Sequence, residues 1–172
     1  MIVVDSNVIA YCWILGERTK IAQRVRLRDP VWRVPILWRS ELRSALAGYV
    51  WKGRMEVDAA AAIMVAAETA LEGCEHLVAS GPVLDLAART RLSAYDCEFV
   101  ALAQSLRVPL LTADQAVLKA FPEMAITMEG FLASFPPIPP AAHEKRGRYI
   151  PPSAHRKDAR ARDRTAHRPL VP

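Results

Sequence analysis

Short apolar runs alternate with segments of helical periodicity over residues 1–135, a pattern that predicts an α/β domain with a mainly parallel sheet. Residues 2–5 read as a first strand, followed by a nearly all-apolar helix over 7–15 and a second helix over 19–28. Asp29-Pro30 punctuates the chain. The stretch 31–34 then suits a strand, and Pro35 suits the start of a helix over 36–51, with Gly53 as its stop. The Ala-rich stretch 57–71 has high helix propensity, 75–79 gives a weak strand, and 85–92 a short helix. Over 95–106 the apolar positions Phe99, Val100, Ala103 and Leu106 recur at helical spacing, with Asp96 on the same inward face at the first turn. A strand at 110–111, a helix at 115–121, a strand at 125–127 and a closing helix at 129–135 complete the body, which contains no internal repeat.

Composition divides the chain at the end of that pattern. Eight of the 13 prolines lie from Pro136 onward, among Arg, Lys, His and Ala, and such a segment cannot bury enough apolar surface to fold alone. A folded domain over 1–135 and a disordered, Pro-rich basic tail over 136–172 are therefore expected. Lys and Arg number 14 against 15 Asp and Glu over residues 1–136, but 9 against 3 over 137–172, so the net charge of +5 comes from the tail. The tail's Arg156, Lys157, Arg160, Arg162 and Arg164 suit salt-sensitive, nonspecific affinity for nucleic acid, or a dispensable extension.

A 172-residue chain that is 52% hydrophobic has enough material for one domain with a real core. Its longest apolar run, residues 59–67, is bounded by Asp58 and Glu68 and falls well short of the roughly 18 residues that suggest a bilayer span, so no membrane association is expected. The N-terminus has no basic region and meets Asp5 almost at once, unlike a secretory signal. Cys12, Cys74 and Cys97 are odd in number and too widely spaced for a zinc knuckle, as suits reduced thiols in a cytoplasmic protein.

Four carboxylates carry the candidate chemistry. Asp5 closes the run Ile2-Val3-Val4 and Asp114 follows Leu110-Leu111-Thr112-Ala113, placing both at the carboxyl ends of buried strands, where open α/β sheets bind ligands. Glu41 lies close to the apolar stripe of its helix, and Asp96 on the inward side of its own. Each also has an ordinary explanation. Asp5 and Asp114 can cap the helices that follow them, Ser93 and Asp96 fit a capping box, and Glu41 can be a solvated partner of Arg39 or Arg43. If the first strand and the 110–111 strand are neighbours, however, the four acids meet, and such a cluster repels itself unless a divalent cation joins it. Mg²⁺ prefers oxygen ligands and is completed by water and phosphate; Mn²⁺ suits the same set.

These residues resemble the PIN-domain family of metal-dependent ribonucleases, and in particular the VapC-type toxins of bacterial and archaeal toxin–antitoxin pairs. The resemblance rests on Val4-Asp5-Ser6-Asn7-Val8, on Trp38-Arg39-Ser40-Glu41-Leu42 after Pro35, on Tyr95-Asp96-Cys97-Glu98-Phe99-Val100-Ala101-Leu102-Ala103, and on Leu111-Thr112-Ala113-Asp114. It spans about residues 1–135, with Cys97 beside the third acid and the long tail as its departures.

The resemblance implies a PIN-like, Rossmann-like three-layer α/β/α fold and Mg²⁺-dependent hydrolysis of RNA phosphodiester bonds with one or two ions. Asp5 and Asp96 are the expected direct ligands. Glu41 and Asp114 are expected to bind directly or through water or to orient the nucleophile, and Ser6, Asn7 and Thr112 to support them by hydrogen bonds, although plain turn or cap roles suit these three equally. It also suggests a homodimer and a cognate antitoxin covering the site. Arg39 and Arg43, with Lys52 and Arg54 nearby, are candidates for RNA phosphates, and Trp38, like Trp13, Trp32 and Trp51, for base stacking; solvated helix faces and core packing are the ordinary roles of such residues.

The main competing class is a non-catalytic RNA- or protein-interaction module on the same fold, its acids kept as caps. Metal titration discriminates between the two. Other doubly wound phosphotransfer folds fit less well: the phosphatase type wants a second Asp where Asn7 stands, and the receiver type wants adjacent acids where Ser6 follows Asp5.

Overall fold

Ile2, Val3 and Val4 are each completely buried, so the first strand, β1 (Ile2–Val4), has no solvated face. A strand covered on both sides belongs in the middle of a parallel sheet. The computed structural model describes residues 1–135 and puts β1 there, between β2 (Trp32–Pro35) and β4 (Leu110–Leu111), with β3 (Glu75–His76) and β5 (Ala125–Ile126) at the edges. The order is β3-β2-β1-β4-β5 and every pairing is parallel. Val3 lies opposite Leu110 and Val4 opposite Leu111, which brings the ends of β1 and β4 level. The chain runs outward through β2 and β3 and then returns to the other side of β1. The cleft beyond β1 and β4 is therefore the switch point of the sheet.

Eight helices flank these strands: α1 (Ser6–Trp13), α2 (Thr19–Arg28), α3 (Trp38–Trp51), α4 (Val57–Ala70), α5 (Ser80–Thr90), α6 (Ala94–Leu106), α7 (Gln115–Ala120) and α8 (Met128–Ala133). Helix α6 lies on β1, β2 and β4 and packs beside α5, while α1 packs against α2, α3 and α4, and α2 against α8. The result is the three-layer α/β/α architecture. The inward stripe of α6 includes the buried Phe99, Val100 and Ala103, and its amino end, which carries Asp96, is capped by Ser93.

Local differences from the sequence reading have local causes. The helix expected over 85–92 starts earlier, at Ser80, because Pro82 falls within its first turn, where no intrahelical N–H is required. The strand expected over 75–79 keeps only Glu75 and His76, the two residues that β2 can pair before it ends at Pro35. Helix α3 does stop where Gly53 supplies a φ of +63°. Cys12, Cys74 and Cys97 are free thiols, the first and last of them buried. Among the described residues no helix is long and apolar enough to cross a membrane. The tail expected from residue 136 onward lies outside the described residues.

Candidate active site

Asp5 directly follows β1 in extended conformation (φ −72°, ψ 151°), and only its carbonyl serves α1, accepting from the N–H groups of Val8 and Ile9. Its carboxylate makes no cap. Instead Oδ2 accepts from Asn7 Nδ2 at 2.7 Å and from the hydroxyl of the fully buried Thr112. The Asp5 N–H donates to Leu111 O at 3.0 Å, so the same strand pairing that aligns β1 with β4 delivers Thr112 to Asp5. Asn7 completes the link by accepting from the Ala113 N–H at 3.1 Å. Asn7 and Thr112 thus fix the Asp5 carboxylate across a sequence separation of 107 residues.

Burial raises the Asp5 carboxyl from 3.8 to about 6; Thr112 and Asn7 oppose the rise by hydrogen bonding, while the charges of Glu41 and Asp96 add to it. Glu41, on the first turns of α3, is raised in the same direction, chiefly by burial, with the Ser6 hydroxyl moderating the shift and Asp96 and Glu98 reinforcing it. Ser6 lies beside Glu41, yet neither Ser6 Oγ nor Glu41 Oε2, both buried, has a partner of hydrogen-bond geometry. Asp5, Glu41 and Asp96 therefore share one field, and Glu98 joins its edge.

Of the other two acids, Asp114 makes the cap that sequence allowed it and Asp96 does not. Ser93 Oγ accepts from the Asp96 N–H at 3.1 Å and donates to Asp96 Oδ2 at 2.6 Å, so this acid bonds a hydroxyl rather than a free backbone amide. Asp114 Oδ1 accepts from Ala116 N and Val117 N at 2.7 and 3.0 Å. Its backbone N–H donates to Thr112 Oγ1, which joins Asp114 to the Asp5 network. Asp114→Ala is expected to cost about 1 kcal/mol through the lost cap, whereas Asp114→Asn keeps an accepting oxygen and melts like the parent. Urea unfolding of the two variants checks this, and equal destabilisation by both would refute the capping role.

Two expectations about substrate contacts are corrected. Trp38 is completely buried and donates its indole N–H to Glu75 at 2.7 Å, so it packs and offers no ring to an RNA base. Trp32 is buried as well, Trp13 is partly buried, and Trp51, 83% exposed, is the most exposed of the four tryptophans. Arg39 does not face Glu41: its guanidinium is held by both oxygens of Glu75 and by Glu68. Arg43 is exposed and bonds back to Arg39 O and Ser40. Glu98 was missed as a member of the acidic group. Its signal was a lone charge inside the run Cys97 to Ala103, whose other members are all buried.

Among the described residues no group of three or more His, Cys, Asp or Glu side chains stands close enough together to hold a metal ion. The Oδ2 atoms of Asp5 and Asp96 are tied to the neighbouring hydroxyls of Thr112 and Ser93. The donor chemistry nevertheless suits a hard divalent cation: every candidate ligand is a carboxylate oxygen, and Glu41 Oε2 is buried without a partner.

A family model described as PIN domain matches residues 2–123. Among solved structures, the crystal structure of PAE2754 from Pyrobaculum aerophilum is similar in fold, with a TM-score of 0.62 and 21% identity over 77% of this chain and 94% of that one. No curated protein matches significantly.

Proposed function

Because the chain belongs to the PIN domain family, whose members are generally metal-dependent nucleases, we propose that it is a Mg²⁺-dependent endoribonuclease and the toxin of a toxin–antitoxin pair. The observation that carries this reading is the shared field of Asp5, Glu41 and Asp96 at the switch point, with a buried, unpartnered oxygen on Glu41. Asp5 and Asp96 would hold the cation directly, and Glu41 and Asp114 directly or through water. One or two bound Mg²⁺ or Mn²⁺ ions supply neutralisation of phosphate charge and a water of lowered pKa.

The chain's own residues then have distinct tasks. Thr112 and Asn7 keep Asp5 from rotating toward the amino end of α1. Glu41, with its carboxyl raised and Oε2 free, is the group to take a proton from the attacking water. Asp114 steadies α7 and, through its N–H, the orientation of Thr112. In-line attack leaves a 5′-phosphate and a 3′-hydroxyl. A homodimer and a cognate antitoxin that covers the acids belong to the same proposal.

The decisive experiment incubates the full chain with total RNA, with Mg²⁺ and with chelator, and sequences the new ends. Cleavage that requires the cation and leaves 5′-phosphates is expected. Intact RNA under both conditions would instead favour a non-catalytic binding module.

A further inference from the structure

Beside Asp5, the space between α1 and α3 widens into a cavity of about 500 Å³ whose lining includes Asn7, Tyr11, Arg18, Ala45 and Tyr49. Asn7 belongs to both places, since its Nδ2 holds the Asp5 carboxylate while the residue lines the cavity. Tyr11 follows Asn7 by one turn of α1, and Ala45 and Tyr49 follow Glu41 by one and two turns of α3. The two helix faces that bring up Asn7 and Glu41 thus continue as the cavity walls. Tyr11 and Tyr49 contribute phenol rings, and the small side chain of Ala45 leaves room between the walls. The Arg18 guanidinium lies 5.3 Å from the centroid of the Tyr11 ring, and its Nε is buried without a hydrogen-bond partner although its Nη2 meets Glu129 at 2.8 Å.

Resting on the ribonuclease reading, we propose that this cavity seats the unpaired base next to the scissile phosphate, stacked on Tyr11 and Tyr49 with Arg18 toward its phosphate. The chemistry matches part by part. A nucleobase has flat apolar faces that stack on aromatic rings with little regard to sequence, and a phosphate oxygen accepts from the outer part of the Arg18 guanidinium, a side chain 42% exposed. A protein segment is the competing occupant, and the response to an abasic nucleotide separates it from a base. Bases inside a duplex are already stacked and paired, so the substrate is single-stranded RNA.

Binding separates this inference from the proposed activity. In the full chain carrying Asp5→Asn, the affinity of a fluorescent eight-nucleotide single-stranded RNA is measured by anisotropy, alone and with Tyr11→Ala, Tyr49→Ala, Tyr11→Phe or Tyr49→Phe. Each Ala variant is expected to bind about 10- to 100-fold more weakly, each Phe variant within about 2-fold, with unchanged melting temperatures. In the chain with Asp5 intact the same Ala changes raise KM and leave kcat within about 3-fold. One abasic nucleotide in a scanned series weakens binding by a similar factor and makes the Ala changes silent. Ala variants that bind and cleave like the parent overturn the base site alone and leave the cavity to a protein partner. A parent chain that neither binds nor cleaves RNA overturns both readings.

Discussion

Asp5→Asn is expected to melt about 5 °C or more above the parent at pH 7 in chelator, and at the same time to lose RNA cleavage by about 100-fold or more. The stability gain follows from the direction of the Asp5 shift. A carboxyl raised from 3.8 to about 6 by burial contributes stability that is fully present below 3.8 and lost as pH rises through 6. Near pH 7 the charged form then costs the fold about 3 kcal/mol, which asparagine removes while keeping an oxygen to accept from Thr112 and Asn7. The loss of activity follows from the same charge, because replacing even an outer partner of a metal ligand typically costs 10- to 100-fold. Melting curves from pH 3 to 8 should converge below pH 4 and separate between pH 4 and 6. Added Mn²⁺ should raise the melting temperature of the parent and not that of the variant. Parallel curves across this range would refute the assignment of a buried, function-bearing charge to Asp5.

Glu75→Ala is expected to destabilise the fold by about 2–3 kcal/mol. Glu75 on the edge strand β3 accepts from Trp38 Nε1 and receives two hydrogen bonds from Arg39, whose third such bond goes to Glu68 on α4. Truncation strands the indole N–H in the core, a cost of about 1–3 kcal/mol, and adds a smaller ionic loss because Arg39 remains about one-third exposed. Arg39 lowers the Glu75 carboxyl below 4.5. Its contribution is therefore present above pH 4.5 and lost as pH falls through the lowered value. Glu75→Gln keeps an acceptor for Trp38 and should lose less than the alanine variant. Urea unfolding at pH 7 and 4 checks both statements, and a change under about 0.5 kcal/mol in Glu75→Ala would sink them. Since α3 also presents Glu41, a loosened clamp is expected to lower cleavage moderately as well.

The acids were legible because strand ends and helix faces are local properties. Val4 and Leu111 are the last residues of apolar runs, so Asp5 and Asp114 had to emerge where buried strands stop. The periodicity of residues 95–106 likewise placed Asp96 at the first turn of its helix, where the structure leaves it half-buried beside Ser93. The roles of Arg39 and Trp38 were not legible, because their partner Glu75 lies 36 and 37 residues away on a strand only two residues long. Periodicity says which face a residue occupies. It does not say which distant group meets that face.

The sequence by itself determined the alternation of strands and helices, hence the parallel sheet, and the order of four acids at the positions where such a sheet opens. Tertiary structure alone decided the surroundings of each. The pairing of β1 with β4 ties Asp5 to Thr112 and Asn7, and helix packing sets Glu41 among Ser6, Asp96 and Glu98, whereas Asp114 spends one oxygen on α7. The reason is that a carboxylate's charge, freedom and pKa depend on the donors and charges within a few ångströms, and only the folded chain brings those together.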